Sequence, residues 1–414
     1  MGEHCETDES WARPRRHVHV VGAWVNDPHG LTWHRGRHHV FFQQVAGSSV
    51  WRPDVAWGHA SSPDLQTWTA HPPVLLPGDG DDGCWSGGLV TTPDDQALIH
   101  YTSVRAADHA LGVVREARPV DDDWQVWRKG DVVVRPPDHL DLAVFRDPVV
   151  LADVDVWRML VGAGHRDGRP AVLGFVSDDL RSWAYDGEVA SASLRDVDDP
   201  DRTGEAWECP QLFAVDGTWV LVVSVWSRGR DHHVAAATGD LVAGRFTPRR
   251  WTRLTRSDGP YAASASTDAD GRPCLTSWLR GVADPAGRWT GAVGTTCRVH
   301  VVDDQVRLSP HPDAVDGLPP DEHVRTRSCA RASDGPAPLA LLHTSSGEPV
   351  GEVRQEGGAV VVDVPGRTTR LPGPPGDVHV LLDRVVLEVV TPGGLAAVAV
   401  PPGTRLRGAS VGGA

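Results

Sequence analysis

The 414-residue chain is predicted to be all-β: a five-bladed β-propeller followed by a small C-terminal β-sandwich. Three observations lead there. The apolar segments are short and end at Gly, Pro, Asp or Asn. A motif closed by an aromatic residue recurs about every 60 residues. Three acid-bearing turns fall close to multiples of the same interval.

The strand reading comes from segments such as His39-Val40-Phe41-Phe42, Ala97-Leu98-Ile99-His100-Tyr101, Trp157-Arg158-Met159-Leu160-Val161 and Trp219-Val220-Leu221-Val222-Val223. They are rich in Val and Trp, helical periodicity is hard to find, and 44 Gly and 33 Pro suit a turn-rich β protein. The repeat runs Asp64-Leu65-Gln66-Thr67-Trp68, then Asp123-Trp124-Gln125-Val126-Trp127, then Asp179-Leu180-Arg181-Ser182-Trp183. Its closing tryptophans are 127 − 68 = 59 and 183 − 127 = 56 residues apart, and a looser fourth copy runs from Asp240-Leu241 to Phe246. A period near 60 suits a four-stranded propeller blade with generous loops, and the stretch from Trp24 to about Pro320 holds about five.

Within this repeat stand Asn26-Asp27-Pro28-His29-Gly30, Phe145-Arg146-Asp147-Pro148 and Glu208-Cys209-Pro210. Each sets a carboxylate on a turn beside a strand-like run. The separations are 147 − 27 = 120 and 208 − 147 = 61, about two periods and one. Asp27, Asp147 and Glu208 are therefore expected at equivalent places in blades 1, 3 and 4, converging on the central channel. The blade-2 and blade-5 counterparts are placed at Trp85-Ser86-Gly87-Gly88 and Tyr261-Ala262-Ala263-Ser264.

After about Pro320, strand-like runs at Ala359–Val364, Val378–Leu382, Val385–Val390 and Ala396–Val400 predict the sandwich. Ser333 to Pro338 reads as a linker or strand turn, and Gly403 to Ala414 as a frayed tail. The expected division is an extension over 1–19, the catalytic propeller over 20–320 and the sandwich over 321–414.

Lys and Arg total 40 against 55 Asp and Glu, a net charge of −15, which opposes nucleic acid or an anionic membrane as the main partner. No apolar run is long enough to span a membrane, and Met1 to Arg16 lacks the apolar core of a signal peptide. Cys5, Cys84, Cys209, Cys274, Cys297 and Cys329 show no CxxC spacing and read as scattered thiols of a cytoplasmic protein. The pairs His17/His19, His38/His39 and His232/His233 read as surface residues rather than metal ligands, so no metal and no cofactor are expected. Cys209 reads as a buried, inert thiol. Asp383 and Glu388 read as structural.

The acid boxes bring a family into view. The chain resembles glycoside hydrolase family 32, the β-fructofuranosidases: invertases, sucrose-6-phosphate hydrolases, levanases and inulinases. Asn26-Asp27-Pro28-His29-Gly30 is similar to the family's Asn-Asp-Pro-Asn-Gly box, with His29 in place of the second Asn. Phe41-Phe42-Gln43, Trp57-Gly58-His59-Ala60, Arg146-Asp147-Pro148, Glu208-Cys209-Pro210, Tyr261-Ala262-Ala263, Ser277-Trp278 and Leu382 to Val389 resemble further family segments. Trp85-Ser86 stands where the family often has Phe-Ser.

The resemblance implies a propeller-plus-sandwich fold and cleavage of terminal β-D-fructofuranosyl residues from sucrose or fructans with retention. It implies Asp27 as nucleophile, Glu208 as general acid/base and Asp147 as the holder of fructose hydroxyls. The chemistry needs a proton donor for the leaving oxygen and a carboxylate to trap an oxocarbenium-like carbon. Glu208 would then carry a proton and Asp27 would not, while Arg146 would hold Asp147 ionised. Asn26, Gln43, Trp51, Trp85, Ser86, Arg146 and Trp278 are the substrate-binding candidates. For Trp51 and Trp278, core packing is the competing reading. The partner implied is a small carbohydrate, with no nucleic acid and no membrane. Fructosyl transfer, a five-bladed arabinoside hydrolase and a non-catalytic sugar-binding propeller are the alternatives. Product analysis with sucrose separates them.

Overall fold

In the computed structural model, which describes residues 12–153, 155–192, 204–256, 259–328 and 336–409, the first blade is an antiparallel run of four strands. These are β1 (Ala23–His34), β2 (Arg37–Ala46), β3 (Ala56–Ser62) and β4 (Thr69–Leu75). The β1–β2 turn is Arg35-Gly36, both at positive φ, the two-residue geometry whose twist matches that of paired strands. β2 and β3 are buried nearly throughout, and β4 is largely exposed on the outside.

Three further blades repeat the pattern. Blade 2 has β5 (Gly83–Thr91), β6 (Ala97–Arg105), β7 (Asp108–Pro119) and β8 (Trp127–Val134). Blade 3 has β9 (Leu142–Ala152), β10 (Trp157–His165), β11 (Pro170–Ser177) and β12 (Ala184–Ser191). Blade 4 has β13 (Ala206–Val215), β14 (Thr218–Ser227), β15 (Arg230–Val242) and β16 (Arg245–Arg253). The fifth comprises β17 (Tyr261–Thr267), β18 (Pro273–Ala283), β19 (Thr290–Val293), β20 (Cys297–Val302) and β21 (Gln305–Pro310). β19 is an extra strand. It pairs antiparallel with β18 and bridges in parallel to β1 at Trp24 and Thr290, so blades 1 and 5 share one sheet and the ring closes there. Gly291 permits this approach. A Cβ at that residue would run into the Val25 carbonyl and the Trp278 ring.

The tryptophan repeat marks one structural position. Trp68, Trp127 and Trp183 stand at the entry to the fourth strand of blades 1 to 3, three residues after Leu65, Trp124 and Leu180, all at positive φ. In the first and third copies the repeat's own Asp64 and Asp179 accept the turn's backbone N–H groups; in the second, Asp121 does so. The fourth copy differs, because Ala243-Gly244 makes a tight β15–β16 hairpin there.

A four-residue helix, Pro312–Val315, leads to the sandwich. One sheet has the order β22 (His323–Ser328), β27 (Gly376–Asp383), β28 (Val386–Thr391), β29 (Gly394–Ala399). The other runs β26 (Arg367–Pro372), β25 (Ala359–Val364), β24 (Pro349–Glu356), β23 (Ala337–His343), β30 (Arg405–Gly408). Val378, Val380, Leu382, Leu387 and Val389 fill the sandwich core. Their alternating neighbours Leu381, Val386 and Val390 pack in clusters shared with the propeller. The sheet is thus covered on both faces, and continuous apolar runs follow.

Two expectations are corrected. The tail from Gly403 is not frayed through Gly408, since β30 pairs with β23 and buries Leu406. The histidines read as surface residues are largely interior: His17, His38, His39 and His233 are all buried. They are kept by ring packing and carboxylates. His39 stacks on His59, and His17 bridges Asp383 and Glu388 at 2.8 and 2.6 Å. Asp383 and Glu388 are structural, as expected. Cys84, Cys209, Cys274 and Cys297 are free and buried; Cys5, Cys329 and the first half of the expected linker, 333–335, lie outside the described residues. Among the described residues no helix is long and apolar enough to cross a membrane.

Candidate active site

Side chains on a regular strand alternate between faces, so neighbours cannot both point into one channel. Each innermost strand breaks that alternation with a register shift at the corresponding place: Val25/Pro28 on β1, Trp85/Gly87 on β5, Arg146 to Val149 on β9, Glu208/Gln211 on β13 and Tyr261/Ser264 on β17. Such bulges re-aim side chains. They let Asn26 with Asp27, Trp85 with Ser86, and Arg146 with Asp147 line the same cavity.

The bulges correct the equivalence of the three acids. Asp147, Cys209 and Ala262 share a positive φ of 65°, 46° and 49°. They are spaced by 209 − 147 = 62 and 262 − 209 = 53 residues. Asp147 therefore corresponds to Cys209, and Glu208 corresponds to Arg146 and Tyr261. The acids still converge, with Glu208 one position earlier on its bulge.

The cavity holds about 800 Å³ and is lined by all ten predicted residues: Asp27, Asp147, Glu208, Asn26, Gln43, Trp51, Trp85, Ser86, Arg146 and Trp278. A hydrogen-bond chain fixes Asp27. Ser86 Oγ donates to Asp27 Oδ2 at 2.5 Å, and Gln43 Nε2 donates to Ser86 Oγ at 2.5 Å. Asn26 Nδ2 reaches Gln43 Oε1 at 2.5 Å and Asp27 Oδ1 at 3.1 Å, and Trp24 Nε1 donates to Asn26 Oδ1 at 3.1 Å. Burial pushes the Asp27 carboxyl up, the Ser86 donor draws it back and the Glu208 charge pushes it further up.

Asp147 Oδ2 accepts the backbone N–H of Cys209 at 3.0 Å. Burial and then the charge of Glu208 push Asp147 above the usual carboxylate range, with Arg146 opposing through space. The expected Arg146–Asp147 pair is replaced by another. Arg146 Nε and Nη2 both lie 2.8 Å from Glu208 Oε1, because Arg146 and Glu208 occupy corresponding positions on adjacent blades. The Arg146 guanidinium is held between Trp85 and Trp226, 5.7 and 5.6 Å from the ring centroids. Tyr261 Oη donates to Glu208 Oε2 at 2.6 Å, so both Glu208 oxygens are tied.

Cys209 Sγ sits 3.6 Å from Asp147 Oδ2 and 3.8 Å from Asp27 Oδ2. Burial and the neighbouring Asp147 charge raise the thiol well above its ordinary value, which keeps it protonated and unreactive. His29, which departs from the family box, stacks on Trp57 at 4.4 Å, and burial drives it down to about 3, so it is neutral packing. Trp278 lines the wall, its Nε1 has no hydrogen-bond partner, and its ring meets Trp24 edge-on at 5.7 Å. Trp51 is half-exposed at the rim, edge-on to Trp85.

Sequence reasoning missed Tyr261, Arg280 and Asp231 as cavity residues. Tyr261 lies in the segment placed as the blade-5 counterpart, one residue before the positive-φ Ala262, but that segment carries neither the proline nor the acid of the three acid boxes. Arg280 follows Trp278 by two residues on β18, hence on the same face. Asp231 comes from the β14–β15 hairpin and carries no motif. Asp268, Cys274 and His311 lie close enough together elsewhere to suggest metal ligands. Arg298 Nε already holds Asp268 Oδ2 at 2.8 Å, so the cluster carries its own cation.

The fold and site define an all-β propeller with a sandwich and a channel-mouth carboxylate cluster. Residues 17–312 match the family model described as the glycosyl hydrolases family 32 N-terminal domain, and the chain belongs to that family. It is 31% identical over 284 residues to the Escherichia coli sucrose-6-phosphate hydrolase, covering 64% of this chain and 57% of that protein. The chain thus spans little more than half the length of that curated relative. A Bombyx mori GH32 beta-fructofuranosidase in complex with sucrose superposes with a TM-score of 0.80 at 23% identity, covering 96% of this chain and 90% of the other. The Lactobacillus gasseri sucrose-6-phosphate hydrolase structure gives 0.76 at 20% identity, covering 96% and 91%. At those identities the likeness shows the fold.

Proposed function

We propose that the chain is a retaining β-fructofuranosidase that releases terminal β-D-fructofuranosyl residues from sucrose or fructo-oligosaccharides. One observation supports it above the rest. Three carboxylates from three blades line one cavity, with Asp27 and Glu208 held by separate sets of donors. The Bombyx mori beta-fructofuranosidase, solved in complex with sucrose, fits this reading, while the Escherichia coli and Lactobacillus gasseri relatives are named for sucrose 6-phosphate.

In this reading Asp27 attacks the anomeric carbon and forms a fructosyl-enzyme. Glu208 protonates the leaving oxygen and later takes a proton from the incoming water. Asp147 binds fructose hydroxyls. The Ser86–Gln43–Asn26 chain keeps Asp27 aimed, which reduces the entropy of reaching attack geometry. Trp278 contributes an indole wall to the cavity, its Nε1 buried toward Gly291 rather than open to a ligand. Catalysis belongs to residues 20–320, and residues 321–414 buttress the propeller. The four buried free thiols favour a reducing compartment.

The test is a hydrolysis screen over sucrose, inulin, levan and aryl arabinosides with product analysis. Free fructose is expected. Turnover of the arabinosides alone, or of none, would overturn the reading.

A further inference from the structure

Family membership leaves open whether the leaving sugar carries a phosphate, and the cavity's charges bear on that choice. Among the described residues five carboxyl groups line it: Asp27, Asp147, Glu205, Glu208 and Asp231. Three guanidinium groups face them, and their commitments decide what they can bind. Arg146 is clamped on Glu208 and held between two indole rings. Arg280 gives Nη1 to the Asp231 carbonyl at 2.7 Å, Nη2 to the His232 carbonyl at 2.9 Å and Nε to the Gly259 carbonyl at 3.3 Å, and lies 4.8 Å over the Tyr261 ring. It serves as a structural brace across the cavity wall. Arg166 stands at the rim, more than half exposed and paired with the exposed Asp141 at 3.2 Å, where solvent and salt weaken its field. No lysine is among the described residues that line the cavity.

A phosphate monoester carries about −1.5 to −2 charges at neutral pH and is recognised by uncommitted Arg or Lys, preferably several at once. Here the inner guanidinium groups are engaged by the protein's own acceptors and carboxyl groups outnumber them, with Asp147 and Asp231 raised by burial and the Glu208 charge to about 7, so that their repulsion grows as the pH rises through that value. An uncharged sugar meets none of this repulsion. Its hydroxyls suit the carboxylates, and its C–H faces suit the indoles of Trp85, Trp226 and Trp278.

We propose that this cavity selects fructosides whose leaving sugar is uncharged and rejects a phosphate monoester there, so that sucrose rather than sucrose 6-phosphate is its disaccharide substrate. The inference rests on the β-fructofuranosidase reading and departs from the activity in the name of the Escherichia coli relative.

The experiment is kcat/KM for sucrose and for sucrose 6-phosphate on the same wild-type preparation, at low and high ionic strength. Sucrose is expected to win by about tenfold or more at low salt, with the ratio shrinking as salt screens the repulsion. Glu205→Gln, which removes one rim charge, should improve sucrose 6-phosphate more than sucrose. Equal or better turnover of the phosphate ester overturns the inference and leaves the β-fructofuranosidase reading standing. So does a preference that ignores both salt and Glu205→Gln, or turnover of longer fructans with neither disaccharide. Release of no fructose from any fructoside sinks the β-fructofuranosidase reading itself, and the inference with it.

Discussion

Replacing Ser86 by Ala removes the strongest brake on the proton affinity of Asp27. The wild-type carboxyl is pushed up by burial and by Glu208, and the 2.5 Å hydrogen bond from Ser86 Oγ is the leading influence pulling it down. A hydrogen bond to a charged group contributes about 1.5–3 kcal/mol, and one pKa unit corresponds to about 1.36 kcal/mol. Losing the bond should therefore raise the Asp27 pKa by about one to two units. The sign is fixed by the chemistry. Asp27 must be ionised to attack, so a higher pKa removes activity earlier as the pH falls. The acidic limb of kcat/KM against pH, which reports the free enzyme, should move to higher pH by that amount, while activity well above the limb changes less. Ser86→Thr keeps a hydroxyl and should restore the limb. Asp147 draws its hydrogen bonds from Cys209, so the change acts on Asp27. An acidic limb that stays in place, or moves to lower pH, would refute the reasoning.

Other changes test other parts. Glu208→Ala should lose about 10²–10⁴-fold in kcat on sucrose, with azide restoring part of the turnover on a substrate with an activated leaving group; wild-type activity would remove Glu208 from its role. Tyr261→Phe frees one Glu208 oxygen and should lower kcat about tenfold or more with little change in KM, measured by steady-state kinetics. His17→Ala strands two buried carboxylates, Asp383 and Glu388, and should cost about 3–5 kcal/mol of stability in denaturant unfolding. Burial alone would depress His17, but Glu388 and Asp383 overcome it and raise it to about 10. Its contribution is therefore complete below its ordinary value near 6.5 and lost as the pH rises through about 10. The wild-type Tm should fall across that window, and the His17→Ala Tm should lack this component.

What was legible in the sequence is what local chemistry writes at fixed intervals. Trp68, Trp127 and Trp183 mark one turn per blade, and the Asp-Pro and Cys-Pro boxes mark the bulges. The blade count and the three acids followed from them. The one-residue offset of Glu208 was also present, since Pro28, Pro148 and Pro210 align Asp27 and Asp147 with Cys209, but spacing alone rounds it away. Arg146 lines the cavity, but its partner is Glu208 rather than the expected Asp147, because that contact runs between blades. His17 meets Asp383 across 366 residues of sequence, a contact that no local pattern encodes. β19 is four residues long, and its role in closing the ring depends on the approach allowed at Gly291. Arg405-Leu406-Arg407 is too short to read as a strand without its partner β23.

The central claim is that Asp27 bonds to the anomeric carbon and that configuration is retained. The direct measurement is NMR of the first-formed fructose anomer during sucrose hydrolysis, joined to mass spectrometry of the enzyme trapped with a slow-leaving fructosyl donor. The account predicts the β-anomer first and a fructosyl adduct on the peptide holding Asp27. Initial release of the α-anomer, or an adduct on any other residue, would contradict it.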